Sequence, residues 1–189
     1  MIELHNITLA FGHRTLMADS SALFERGNLI ALLGRNGTGK STLLRAMASL
    51  GRVTAGSITI DGTNVDDIAA TTLARKIAFV NTERVDVEAL SVHDLVAIGR
   101  APYTDWMGRI GTEDEVVIER SMTIAGIASM RDRRVDTLSD GECQRVMIAR
   151  ALAQDTPAIL LDEPTSFLDL PNRYELCTLL RRLAHEEHK

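Results

Sequence analysis

A chain of 189 residues, 45% hydrophobic, 25% charged and 4% aromatic, has the make-up of one soluble globular domain, large enough to bury roughly two-thirds of its unfolded surface. Its formal net charge of −5 is the wrong sign for a protein that tracks phosphate backbones, so no nucleic-acid partner is expected. There is no apolar run of about 18 residues, no signal-peptide profile at Met1-Ile2-Glu3-Leu4-His5 and no Cys-x-x-Cys spacing around Cys143 or Cys177, which predicts a cytoplasmic protein in a reducing compartment.

In chain order, Ile2 to Leu9 alternates partly and is expected to be a strand, with a turn at Gly12-His13-Arg14. Leu29 to Leu33 is a continuous apolar run ending in Gly34, the pattern of a strand buried on both faces. A helix should open near Lys40 and turn Leu43, Leu44 and Met47 inward. Gly56 to Asp61 is a further strand closed by the hairpin turn Asp61-Gly62, and Ile77 to Val80 another. From Val92 to about Met130 the pattern is helical, interrupted by a loop at Gly99–Tyr103. Glu142 to Gln154 forms an amphipathic helix, Ala158 to Leu161 a second fully buried strand, and Pro171 opens a last helix with Leu176, Leu179, Leu180 and Leu183 on its core face. Strands alternating with helices predict an α/β sheet with helices on its faces, and the helix-rich middle an inserted subdomain.

Three stretches carry chemistry. Gly34-Arg35-Asn36-Gly37-Thr38-Gly39-Lys40-Ser41-Thr42 matches the phosphate-loop pattern in full. Glycines at 34, 37 and 39 are expected to adopt backbone angles that side chains forbid, so that successive N–H groups point at an anion. The helix that follows adds its positive end, Lys40 reaches the β and γ phosphates, and the Ser41 hydroxyl binds Mg²⁺. Ile159-Leu160-Leu161-Asp162-Glu163 is an apolar strand ending in two carboxylates. Strand alternation should send them to opposite sides, Asp162 toward Mg²⁺ through a water and Glu163 toward an attacking water. In Leu138-Ser139-Asp140-Gly141-Glu142 a serine hydroxyl, a glycine N–H and a helix start make an anion site; the same residues also spell a plain capping box, and both readings stand.

Taken together, the phosphate loop, Leu138–Glu142 and Leu160–Asp169 resemble the ABC ATPases over essentially the whole chain. The resemblance implies a P-loop core sheet with an N-terminal antiparallel part, a single domain over residues 1–189, and a helical subdomain at about 85–137. It implies that ATP and Mg²⁺ are bound and ATP hydrolysed. Two copies, as a homodimer or pseudo-dimer, close head to tail so that Ser139, Asp140, Gly141 and Glu142 meet the nucleotide held by the other copy's phosphate loop. Phe11 falls where the family stacks an aromatic on adenine; as a residue at a strand end it reads equally as core. Ser166 to Asp169 matches the segment that crosses the dimer interface.

Ala97 to Arg109 is similar to the ATPases of iron–siderophore, haem and cobalamin importers, which implies an integral-membrane permease partner at the inner face of the membrane. The bland alternative is a loop without a partner. Other functions open to such a chain are a non-transport ATPase acting on nucleic acid or ribosomes, or a nucleotide-responsive subunit without catalysis. Two departures accompany the resemblance. Thr82 stands where the family has a glutamine that helps coordinate Mg²⁺. None of His5, His13, His93, His185 or His188 follows an apolar strand after the acidic pair, where the family places a γ-phosphate histidine. The family's strand order also puts a strand between those of Leu29 and Ala158, so a C-terminally truncated form with weak ATP turnover is expected.

Overall fold

The computed structural model describes residues 1–81, 89–166, 168–187 and 189; Thr82, Phe167 and His188 lie outside the described residues. Strand β1, Ile2–Phe11, pairs antiparallel with β2, Arg14–Phe24, and on its other edge with β3, Ala55–Ile60, which turns at Asp61-Gly62 into the short β4, Thr63–Asn64. The sheet order is β2-β1-β3-β4. A separate parallel pair joins β5, Ile77–Val80, to β6, Ala158–Leu161. Helices α1 (Lys40–Met47), α2 (Ala70–Leu73), α3 (Val92–Ala97), α4 (Thr112–Ile124), α5 (Asp140–Ala153) and α6 (Leu170–His185) fill the rest.

Alternation in β1 buries Ile2 and Leu4, then slips, and resumes with Ile7 and Leu9 on the same face. The slip is a bulge: Asn6 has φ +48, and Gly56 on β3, at φ +81, lies so close that a Cβ there would sit 2.4 Å from the carbonyl oxygens of both His5 and Asn6. That extra residue keeps both halves of the strand facing one core, where Leu43, Leu44, Met47, Ile58, Ile60 and Ile77 pack. A second core gathers α3, α4 and α5 around Val92, Leu95, Ile118, Met122, Val146 and Ala149. A third joins Ile148 and Leu152 of α5 to Leu176, Leu179 and Leu183 of α6. Each such side chain stabilises by roughly 1.5–3 kcal/mol through burial, which outweighs the modest helix propensities involved.

Two expectations need correction. Leu29 to Leu33 is not a strand: among the described residues it joins no ladder, and Leu29 and Leu33 are 51% and 91% exposed. An apolar run becomes a strand only when neighbouring backbone takes up its N–H and C=O groups, and here residues 29–32 and 157–161 instead face each other across a cavity of about 500 Å³. For the same reason β6 is only partly buried rather than enclosed on both sides. The helical stretch expected from Val92 to Met130 is also broken for longer than Gly99–Tyr103. α3 ends at Ala97, a tight turn follows at Ile98–Arg100, and α4 opens only at Thr112.

The base of that break is fixed by charge and by close approach. Arg100, buried, pairs with Asp114 at 2.8 Å, donates to the Ala153 carbonyl at the end of α5 at 2.9 Å, and lies 4.0 Å from the centre of the Tyr103 ring. Arg75 donates twice to the Pro102 carbonyl, at 2.9 and 2.7 Å, and faces the same ring at 4.9 Å. Elsewhere His93, Glu115 and Glu119 gather within 4.8 Å of one another, and Arg131 pairs with both glutamates. The guanidinium already supplies the cation there and is the first cause of the lowered Glu115 pKa.

A Cβ on Gly99 would lie 2.2 Å from the Arg150 carbonyl oxygen and 3.1 Å from the Ala153 methyl. Gly99→Ala is therefore expected to destabilise the chain by about 2 kcal/mol, lowering the thermal midpoint by about 4–8 °C; a midpoint shifted by less than about a degree would contradict this packing.

Candidate functional site

Two segments 121 residues apart meet at one hydrogen bond, from the Ser41 hydroxyl to Asp162 Oδ1 at 2.8 Å. Asp162 is only 7% exposed and its own N–H extends the β5–β6 ladder by donating to the Val80 carbonyl at 2.9 Å. Ser41 stands in the first turn of α1, so this contact fixes the start of that helix over the end of β6.

The loop before α1 is shaped as its glycines require, with one difference. Gly37 and Gly39 have φ +78 and +99, left-handed angles costly to other residues. Gly34 does not; its reason is space, because a Cβ there would come 3.0 Å from the Thr38 hydroxyl. That hydroxyl donates to the Arg35 carbonyl at 2.8 Å and closes the turn across Asn36. Gly39 lies against Leu16 of β2, 3.1 Å from a notional Cβ to the Leu16 Cβ, so the β1–β2 hairpin backs the loop. Helix α1 has no side-chain cap and no acidic residue in its first turn. The leading N–H groups of Lys40, Ser41 and Thr42 are therefore left to an external acceptor, at the positive end of the helix. Lys40 Nζ turns back onto its own loop, donating to the Gly34 and Arg35 carbonyls at 2.9 and 3.1 Å. Neutral carbonyls hold an ammonium less strongly than a phosphate does, so an incoming anion can draw it away.

Asp162 and Glu163 do diverge, though not by strand alternation. β6 stops at Leu161, and Glu163 sits at φ +45, a left-handed turn costing on the order of 1 kcal/mol for a residue with a side chain. Its carboxylate accepts from the Ser166 hydroxyl at 3.0 Å, while the Ser166 N–H donates to the Glu163 carbonyl at 3.0 Å. This local clamp was not read from the sequence; the three-residue separation typical of a turn was its only signal. Lys40, Asp162 and Glu163 line one end of the same cavity.

Ser139 to Glu142 stands apart from that cavity. The capping-box geometry is present: Ser139 Oγ accepts from the Glu142 N–H at 3.3 Å, while the Ser139 N–H and hydroxyl both donate to Glu142 Oε2 at 2.9 Å. Arg133 donates to the same carboxylate at 2.7 Å. The Ser139 N–H first, then Arg133, hold the Glu142 pKa below its ordinary value. Phe11 ends β1, 79% exposed, so it is not a core residue. In the 97–109 stretch the outward groups are Trp106, 92% exposed, Met107 and Arg109, whereas Arg100 and Tyr103 form the base. No described helix is long and apolar enough to cross a membrane.

Comparison with known proteins places the chain among related sequences and folds. The ABC transporter family matches residues 17–166. An uncharacterized ABC transporter ATP-binding protein of Methanocaldococcus jannaschii is 38% identical over 188 residues, covering 100% of this chain and 65% of that protein. A probable siderophore transport system ATP-binding protein of Bacillus subtilis is 36% identical, covering 100% of this chain and 68% of its own length. The chain thus spans about two-thirds of the length of these relatives. Among solved structures, the dimeric form of a bacterial ABC transporter cassette superposes with a TM-score of 0.85 at 27% identity, covering 100% of this chain and 85% of that one.

Because the Glu142 pKa is lowered on folding, its contribution is fully present above the ordinary glutamate pKa and is lost as the pH falls through the lowered value. Glu142→Gln should cost about 1 kcal/mol at pH 7, and denaturant titrations should show that difference shrinking toward zero at acid pH. A difference independent of pH would remove the charged cap from this account.

Proposed function

Since the chain belongs to the ABC transporter family, we propose that it is the ATP-binding and ATP-hydrolysing subunit of an importer, of the kind that serves iron–siderophore, haem or cobalamin-type cargo. The observation that carries this reading is the Ser41–Asp162 contact, which brings a capless helix start, an ammonium and two carboxylates to one place. In the proposed mechanism the amides of residues 36–42 and Lys40 cradle the β and γ phosphates, and Glu163 orients and deprotonates the attacking water. Ser41 and Asp162 offer two hard oxygen donors 2.8 Å apart, a pairing that suits Mg²⁺. The ion supplies charge neutralisation at the phosphates when bound. Phe11, exposed at the tip of the hairpin that backs the phosphate loop, is placed to stack on the adenine. Residues from about 85 to 137, of which 85–88 lie outside the described residues, are assigned to the helical subdomain.

The dimeric cassette among the solved structures supports a two-chain arrangement in which Ser139, Asp140, Gly141 and Glu142, at the start of α5, serve the nucleotide of a second copy, so that hydrolysis requires two chains. Trp106, Met107 and Arg109, held out on a loop whose base is fixed by Arg75 and Arg100, offer a docking patch to a membrane permease. Attachment then lies at the inner face of the membrane through that partner.

Lys40→Ala should weaken binding of a fluorescent ATP analogue at least tenfold. Glu163→Gln should retain that binding while magnesium-dependent turnover drops by about 10²–10⁴-fold. Undiminished nucleotide affinity in Lys40→Ala would overturn the pocket and the transporter reading with it.

A further inference from the structure

Gly141 is the second residue of α5, and its φ is an ordinary helical one. Neither a left-handed angle nor the backbone of a neighbour demands a glycine there. What does is a side chain from another helix: a Cβ on Gly141 would lie 2.9 Å from Asn172 Oδ1, 3.0 Å from its Cγ and 3.3 Å from its Nδ2. Since Cγ as well as the terminal atoms is within this distance, turning the amide about χ2 does not clear the space. The Asn172 side chain as a whole, Cγ included, has to shift by a few tenths of an ångström.

The backbone that carries Asn172 is itself firmly placed. Its N–H donates to Asp169 Oδ1, the cap of α6, at 2.9 Å, and the next residue, Arg173, donates from Nε to the Leu168 carbonyl at 2.7 Å. Leu168 is buried in the core shared by α5 and α6. Its N–H donates to the Thr165 carbonyl at 3.4 Å, and Ser166 clamps Glu163 through both backbone and hydroxyl. One turn further along both helices, Arg145 of α5 pairs with Glu175 of α6. Contacts among the described residues thus run from the Glu163 carboxylate, within the ten residues from Glu163 to Asn172, to Gly141.

We propose that Asn172 is a positioning residue: packed on Gly141, it locks the Ser139–Glu142 turn to the acidic segment. Glu163 at one nucleotide and the turn presented to a second copy's nucleotide then move as one body. The consequence for turnover rests on the two-copy reading above; the contact does not. Through it, the state of a chain's own site is passed to the grip that chain offers its partner.

A thermal double-mutant cycle without nucleotide tests the contact. Alanine is normally the better helix residue, so Gly141→Ala alone would raise stability in an unobstructed helix. Here it should lower the thermal midpoint in the parent and raise it in an Asn172→Gly background, whereas the same shift in both backgrounds would overturn the contact. The functional arm uses Glu163→Gln to slow turnover and measures ATP-dependent dimer formation by analytical ultracentrifugation. Adding Asn172→Ala should weaken the dimer about tenfold, and Asn172→Leu, of similar shape, should bring it back to within threefold. A leucine variant as weak as the alanine one, or an alanine variant as strong as the parent, rejects the positioning role. A Glu163→Gln parent that does not dimerise with ATP overturns the two-copy reading and the consequence drawn from it, while the thermal cycle still decides the contact.

Discussion

The hydrogen bond between Ser41 and Asp162 organises the molecule. It is short, part-buried and links residues that no local structure would bring together. A buried carboxylate without a donor is costly, on the order of several kcal/mol, so the fold must deliver the hydroxyl if the strand is to end in an acid at that depth. Delivering it sets the height of α1 over β6, and the height of α1 sets where its uncapped N–H groups point. The phosphate-loop glycines follow from that placement: two turn the chain through angles a side chain resists, and Gly34 makes room for Thr38.

Around this bond the helices divide into two bodies. α1 packs under the antiparallel sheet with Leu43, Leu44 and Met47, and so belongs to the nucleotide-facing body. α3, α4 and α5 form their own core, and α5 is shared with α6 through Ile148 and Leu152. Helix α5 therefore reaches from the signature turn at its start to the Arg100 contact at its end. The first is the proposed grip on a second copy, the second the foundation of the proposed permease patch. A single rigid helix, 14 residues long and on the order of 20 Å at 1.5 Å per residue, relates the two. On the proposed reading the chemistry is a property of a pair, and what one chain contributes is orientation.

The strands β1, β3, β5 and β6 and the helices α1, α5 and α6 could be read directly, because each carries a period or a bounded apolar run of its own. The glycine-rich loop of 34–42 and the acidic pair Asp162-Glu163 at the end of β6 were equally legible, since residue type and spacing mark each as a motif without reference to its neighbours. Leu29 to Leu33 was misread, and the reason is instructive: its composition is that of a strand, but a ladder needs a second backbone beside it. The role of Gly34 was misassigned because a glycine's sequence does not say whether angle or space demands it. The 97–109 stretch read only as a loop with an implied partner; burial against Asp114 and Ala153 made Arg100 within it a structural brace.

By itself the sequence determined which residues carry charge, which lie on one face of a helix, and which loop has the glycines to wrap a phosphate, because these are local properties of the chain. Tertiary structure alone decided that Ser41 meets Asp162, that Ser166 clamps Glu163, and that Gly141 leans on Asn172. Each of these is a juxtaposition of groups on separate elements or across a turn. No propensity or spacing encodes such a distance; it emerges only when the cores close and fix one element against another.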